Sequence, residues 1–188
     1  MGLYVNNEEC KPLSKRELDK AINGYIAKKG WKKTLDSEQF ESVKKWVTYM
    51  FEHPEKEDVV FDDCVNSDFG PCVIDTLCRG RINKIDMLPY LKQGFSDKQL
   101  VYILYGLENN FDVSLYANKQ FDAFQMQVIF NGLKQGFDVS LYAKPEYNEA
   151  QMSNILYGLE NGLDVSKYAN PNFSPKEMND IINSLKNK

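Results

Sequence analysis

Histidine is almost missing from this chain: His53 is the only one in 188 residues. Any Ser-His-Asp or Cys-His arrangement would have to pass through it. It follows Phe51 and Glu52 and precedes Pro54, a setting that predicts a helix C-terminus, where a cation is favoured by the dipole. Cysteine is sparse as well. Cys10, Cys64, Cys72 and Cys78 include no Cys-x-x-Cys pair, which argues against structural zinc, and four cysteines are too few for a disulfide framework. They read as reduced, core-filling thiols of a cytoplasmic protein. No apolar run approaches the ~18 residues of a membrane span, and residues 1–9 lack the basic start and apolar stretch of a secretory signal. An overall excess of positive charge is also absent: 23 basic against 27 acidic residues give a net charge of -4, which excludes a wholly polybasic nucleic-acid binder. No phosphate-cradling glycine loop, His-Glu-x-x-His or Gly-x-Ser-x-Gly occurs, so a positive case for catalysis is missing. No cofactor, metal site or catalytic residue is expected.

What the chain has in abundance is repetition. From Phe95 onward the sequence repeats every 26 residues without a gap, with copies starting at Phe95, Phe121 and Tyr147 and a truncated one at Phe173. Each column has a physical task. Ser96, Asp122, Asn148 and Ser174 are N-cap types, and Gln99, Gln125, Gln151 and Glu177 follow three residues later to complete capping boxes. Leu100, Ile103, Leu104 and Leu107 obey the i, i+3, i+4, i+7 rule of one buried helix face, as do Met126, Ile129, Phe130 and Leu133, and Met152, Ile155, Leu156 and Leu159. Asn110, Gly136 and Gly162 suit a left-handed residue closing that helix. Asp112, Asp138 and Asp164 then cap a second helix of one to two turns, with Val113, Tyr116 and Ala117 and their counterparts facing inward. Gly106, Gly132 and Gly158 fall inside the first helix, where each costs roughly 1 kcal/mol against alanine. Their shared register predicts a close crossing by a neighbouring helix.

The frame runs backward to a degenerate copy at Phe69, with Ile74, Leu77, Gly80, Met87 and Tyr90 on matching columns. Leu35 to Phe40 and Leu13 to Leu18 mimic the start of a copy at irregular spacing. The expected organisation is an irregular helical N-terminal part over 1–68 and a repeat array over 69–188, with copies from 69, 95, 121, 147 and 173. One unit cannot bury its apolar face alone, so the expected fold is an all-α solenoid of stacked helix–short-helix repeats.

The motif Phe-Ser-x-x-Gln-Met-x-x-Ile-x-x-Gly-Leu-x-x-Gly-x-Asp-Val-Ser-x-Tyr-Ala resembles a short helical repeat of largely uncharacterised proteins from Gram-positive gut bacteria and their mobile elements. The resemblance covers residues 69–188, is close over 95–178, and leaves the first 68 residues out. It implies a bacterial or mobile-element origin and brings no catalytic residues.

Three surfaces emerge as candidate sites. Columns outside the buried stripe vary between copies: Val101, Tyr105 and Glu108; Gln127, Asn131 and Lys134; Ser153, Tyr157 and Glu160. Constant columns maintain the array, while varying ones are free to recognise a protein partner; Tyr105 and Tyr157 suit an interface as anchors, or else cover neighbouring core. Leu115 and Leu141 are further apolar residues expected at the surface. The second surface is basic. Residues 11–45 carry ten basic and five acidic side chains, and Lys28, Lys29, Trp31, Lys32 and Lys33 combine cations with an aromatic able to stack a base. The plainer account is a helix end with favourable lysines, a Gly30 stop and Trp31 anchoring the turn. The third is acidic. Residues 52–75 hold eight acidic side chains and one lysine, and Asp58, Asp62, Asp63 and Asp68 could mimic phosphates toward a basic protein, or form a solvated loop.

These readings favour a cytoplasmic, non-enzymatic helical-repeat protein that acts on a protein partner by occupancy. Given the mobile-element resemblance, a concrete role is counter-defence against a host nuclease such as a CRISPR–Cas effector. The alternative is a nucleic-acid-binding module using the basic 28–33 patch. No membrane partner is expected.

Overall fold

The computed structural model describes residues 14–53, 55 and 59–187, and among these every regular element is helical. The chain divides into two compact units, Met1–Asp97 and Lys98–Lys188.

In the first unit, α1 (Lys15–Lys29) opens at Ser14, whose N–H and hydroxyl both donate to Glu17 Oε2, and closes at Gly30 with φ 76°. The short α2 (Trp31–Thr34) follows directly. Helix α3 (Ser37–Glu52) is capped by Asp36, which accepts from the Gln39 N–H while Gln39 Oε1 accepts from the Asp36 N–H. Val43, Trp46, Val47 and Met50 form its buried face, packed against Ile74, Leu77, Cys78 and Ile82 of α4 (Pro71–Ile82). Pro71 sits in the first turn of α4, where its missing N–H costs nothing. The Trp46 indole N–H reaches Asp75 Oδ1 at 2.7 Å, fixing the side where the two helices meet. His53 ends α3, with Nδ1 2.7 Å from the Tyr49 carbonyl and its ring stacked on Tyr49. The unit continues through α5 (Leu88–Lys92) into the start of α6 (Asp97–Glu108).

The second unit repeats one motif. Helices α7 (Ala123–Lys134), α8 (Glu149–Glu160) and α9 (Pro175–Lys186) start beside Asp122, Asn148 and Ser174, each with a complete capping box. Helix α7 packs on α8, and α8 on α9. Leu100, Ile103, Leu104, Met126, Ile129, Phe130, Met152, Ile155 and Leu156 are buried, whereas Leu107, Leu133 and Leu159 at the edge of the stripe are only half-buried.

The helix-closing column behaves as a unit. Asn110, Gly136 and Gly162 all have positive φ, and the residues after them, Phe111, Phe137 and Leu163, return N–H bonds of 2.8–3.0 Å to the Gly106, Gly132 and Gly158 carbonyls. This is the six-to-one bond of a Schellman close. Lys84 and Ile85 of the copy at Phe69 do the same, with φ 61° and a 2.8 Å bond to the Gly80 carbonyl, so this degenerate copy keeps the turn after its sequence has drifted.

The second helix of each complete copy in this unit is a single 3-10 turn: Val113–Leu115, Val139–Leu141 and Val165–Lys167. Asp112 and Asp138 cap it through the Ser114 and Ser140 N–H groups. Asp164 accepts from the Ser166 hydroxyl at 2.6 Å and pairs with Lys167. Tyr116, Tyr142 and Tyr168 are fully buried, while Ala117, Ala143 and Ala169 are half-buried.

The expected reason for the glycine column needs correction. What approaches Gly132 is no neighbouring helix but the tyrosine of its own copy. A β-carbon built there would overlap the Tyr142 hydroxyl and lie 3.0 Å from Val139 Cγ1 and 3.2 Å from Tyr142 Cζ. Gly106 meets Tyr116 and Val113, and Gly158 meets Tyr168 and Val165, in the same way. The phenol lies across the helix backbone, and the Tyr116 hydroxyl donates to the Tyr102 carbonyl at 2.9 Å. Tyr142 and Tyr168 point at the Val128 and Asn154 carbonyls at 3.4 Å.

Candidate interaction surfaces

The glutamines of the capping boxes have a second task that places each copy against the next. Gln99 Nε2 donates to the Phe121 carbonyl at 2.7 Å, Gln125 Nε2 to the Tyr147 carbonyl at 2.6 Å, and Gln151 Nε2 to the Phe173 carbonyl at 2.6 Å. Gln125 and Gln151 are buried, so both ends of each amide are used: Oε1 accepts the N-cap N–H, and Nε2 reaches the first residue of the following copy. In the first unit Gln39 acts identically on the Phe69 carbonyl at 2.6 Å, although the sequence spacing there is irregular. The last copy carries Glu177, which accepts from Ser174 and has no amide to donate.

With the constant columns engaged in this way, the varying columns are left to line the outer helix surface. Gln127, Asn131, Lys134, Tyr157 and Glu160 are exposed; Val101, Glu108 and Ser153 are half-buried. Glu160 Oε1 accepts from Gln135 Nε2 at 2.7 Å, and the Tyr157 hydroxyl accepts from Lys186 Nζ at 2.7 Å. Tyr105 covers neighbouring core rather than standing out as an anchor. It is half-buried, with its ring 5.9 Å from Phe130 and 6.1 Å from Tyr102, because Phe130 replaces the leucine of the other copies and draws aromatic neighbours around it. Leu115 and Leu141, at 40% and 39% exposure, form an apolar row on the 3-10 turns, and Phe124, at 59%, lies open at the start of α7.

On the basic surface the structure has the helix end, with Gly30 in the left-handed region and Lys28 and Lys29 in the last turn of α1. Trp31 is buried, edge-on to Tyr25 at 6.0 Å, and offers no face for a base; the Gly30 stop turns the chain so that its indole enters the core. Lys29 pairs with Asp62 at 2.6 Å, which joins the basic and acidic segments to each other. Lys28, Lys32 and Lys33 remain exposed.

In the acidic segment, Asp63 pairs with Arg81, Asp62 is taken by Lys29, and Asp68 is exposed; Asp58 lies outside the described residues. Asp62, Asp63 and Arg81 border an open cleft of about 570 Å³, whose apolar wall includes Val59, Val60 and Ile85. Among the described residues, no group of three His, Cys, Asp or Glu side chains is placed to hold a metal ion, and no helix is long and apolar enough to cross a membrane.

No protein-family model, curated protein or solved structure matches the chain.

Proposed function

We propose that this chain is a non-enzymatic α-solenoid of helical repeats that binds a protein partner and acts by occupying it. The observation that carries this reading is the division of labour between columns. The residues repeated in every copy are engaged in internal contacts: tyrosine in its glycine notch, glutamine on the next copy, aspartate on its turn. The residues that differ, Gln127, Asn131, Lys134 and Tyr157, face solvent on α7 and α8. A scaffold held constant beneath a varied exterior is the arrangement by which helical-repeat proteins present binding surfaces. The resemblance to a mobile-element repeat directs the proposal to one class of partner, a host nuclease such as a CRISPR–Cas effector, met in the cytoplasm.

The test is capture of a bacterial nuclease on the immobilised chain, followed by affinity measurements on variants that retain their helical circular dichroism. Tyr157→Ala combined with Asn131→Ala should weaken binding about thirtyfold or more if Tyr157 is a hot spot. Undiminished affinity would remove this face. A second reading, nucleic-acid binding, is favoured by the exposure of Lys28, Lys32 and Lys33. It requires binding to DNA or RNA that weakens steeply with salt, by a log–log slope of about -0.9 per phosphate contact on duplex DNA, and that is lost when these three lysines become glutamate.

A further inference from the structure

Gly24 stands in the interior of α1, where glycine is the poorest choice short of proline. Its φ is not in the left-handed region, and no described atom lies within 4 Å of a β-carbon built there. Gly106, Gly132 and Gly158 are each filled by a tyrosine ten positions later, whereas ten positions after Gly24 stands Thr34, and the space is open. An exposed glycine on an ordinary helix leaves room for another backbone to approach closely. The side chains around it indicate what charge that backbone carries. Arg16, Lys20, Gly24 and Lys28 follow one another at four-residue steps along the outer side of α1, about 6 Å of rise each, and all four are exposed. Asn23 and Ala27, short and exposed, add no bulk beside Gly24. Lys32 and Lys33 continue the exposed positive charge onto α2. Against these cations α1 carries two acidic residues, both toward its N-terminus: Asp19, and Glu17, which is turned back onto Ser14. Asp62 of the acidic segment holds Lys29, which lies on the buried side of the helix with Ile22 and Ile26, so that pair takes no charge from the outer row.

We propose that α1 is a phosphate-contacting helix for duplex DNA: the sugar–phosphate backbone passes over Gly24, with Arg16 and Lys20 on one side and Lys28 on the other. The inference rests on the nucleic-acid reading given above as the second one, and adds to it the helix, the point of closest approach and the duplex form. Charge complementarity favours the duplex. It carries about one negative charge per 1.7 Å of its axis, so a straight row of cations on a rigid helix meets several phosphates at once. A single strand would ask for an aromatic platform on which its bases stack, and Trp31, the aromatic nearest in sequence to these lysines, is buried. Contacts to phosphate position the duplex without reading its sequence, so binding is sequence-independent.

The test measures the fluorescence anisotropy of a fluorescein-labelled DNA duplex of mixed sequence with the full chain, from about 50 to 200 mM salt. Arg16→Gln combined with Lys20→Gln should weaken binding and make the log–log salt slope shallower by about 2. Gly24→Leu should raise Tm, because leucine is the better helix former and the space is open. The same variant should weaken binding about tenfold with the salt slope unchanged, since it blocks the approach without removing a charge. A glycine that is only a trace of the repeat would give the higher Tm with unaltered affinity, and that result overturns the proposal. It is overturned as well if the Arg16–Lys20 variant keeps its slope while Lys32→Gln with Lys33→Gln reduces it; the nucleic-acid reading then stands and α1 is not its site. Tighter binding to a single strand than to the duplex has the same meaning. No binding at about 50 mM salt overturns the proposal and that reading together.

Discussion

A glycine in the middle of a helix and a tyrosine ten positions later look unrelated until their side-chain volumes are placed together. At Gly132 the missing β-carbon is the space that the Tyr142 hydroxyl occupies. The ring is fully buried, with its hydroxyl at the Val128 carbonyl, so it has no easy alternative position. Gly132→Ala should therefore destabilise by about 1–3 kcal/mol through overpacking, even though alanine is the better helix former. The check is a double-mutant cycle in urea with Tyr142→Phe, which removes the conflicting oxygen. The two substitutions should cost less together than the sum of each alone, and strict additivity would disprove the notch.

The glutamines make a second prediction at this scale. Gln125→Glu keeps the acceptor for the Asp122 N–H but replaces the amide donor with an oxygen facing the Tyr147 carbonyl. The loss should be about 1–3 kcal/mol or more at neutral pH. It should shrink in acid, because a protonated carboxyl at this position can donate again. Glu177→Gln in the last copy should change stability little, since its side chain bonds only to Ser174. Chemical denaturation of both variants at neutral and acidic pH decides the matter.

At the scale of the element, much of the second unit is readable from residue types alone. The start of α7 beside Asp122, the left-handed residues at Asn110, Gly136 and Gly162, and the buried Met126–Ile129–Phe130 stripe all rest on interactions within a few residues of sequence. Ile129, fully buried in that stripe, should cost about 2–5 kcal/mol when truncated to alanine, and a loss under about half a kcal/mol would show that this face is not core. What could not be read is which constant columns meet. Periodicity marks Gly106 and Tyr116 as invariant without showing that one is the receptacle of the other. It marks Gln125 as a cap without revealing the carbonyl behind it. One clue was present, the change from glutamine to glutamate at position 177, because only an amide can both accept and donate. The candidate surfaces are less legible. Trp31 beside four lysines suggests a binding platform, yet the positive φ at Gly30 turns it inward. Tyr105 and Tyr157 share a column but differ in exposure, because Phe130 packs against the first.

For the molecule as a whole, the buried phenols set an upper limit on pH. Burial pushes Tyr142 up, and burial with the nearby Asp164 charge pushes Tyr168 up to about 12. A tyrosine whose folded value is raised stabilises the fold fully below its unfolded value of 10.0 and loses that contribution as pH rises toward about 12. Unfolding followed by circular dichroism should therefore become steep in that alkaline window, coincident with phenolate absorbance. Complete ionisation of all eleven tyrosines near pH 10 without loss of helix would contradict the burial of these rings.

The amide that joins one copy to the next also bears on how such a gene can change in length. Gln99 reaches Phe121 and Gln125 reaches Tyr147, and each donor–acceptor pair is 22 positions apart. Excising residues 121–146 removes one whole 26-residue period and brings Gln99 to that same separation from Tyr147, with the capping box of Asn148 and Gln151 intact beyond the scar. Unequal recombination between copies would then produce shorter or longer chains that still fold, whereas a deletion that is not a whole number of periods would leave an amide without its carbonyl. The drift of the copy at Phe69, beside the close agreement of those after it, is the pattern expected where the later copies have exchanged sequence most recently.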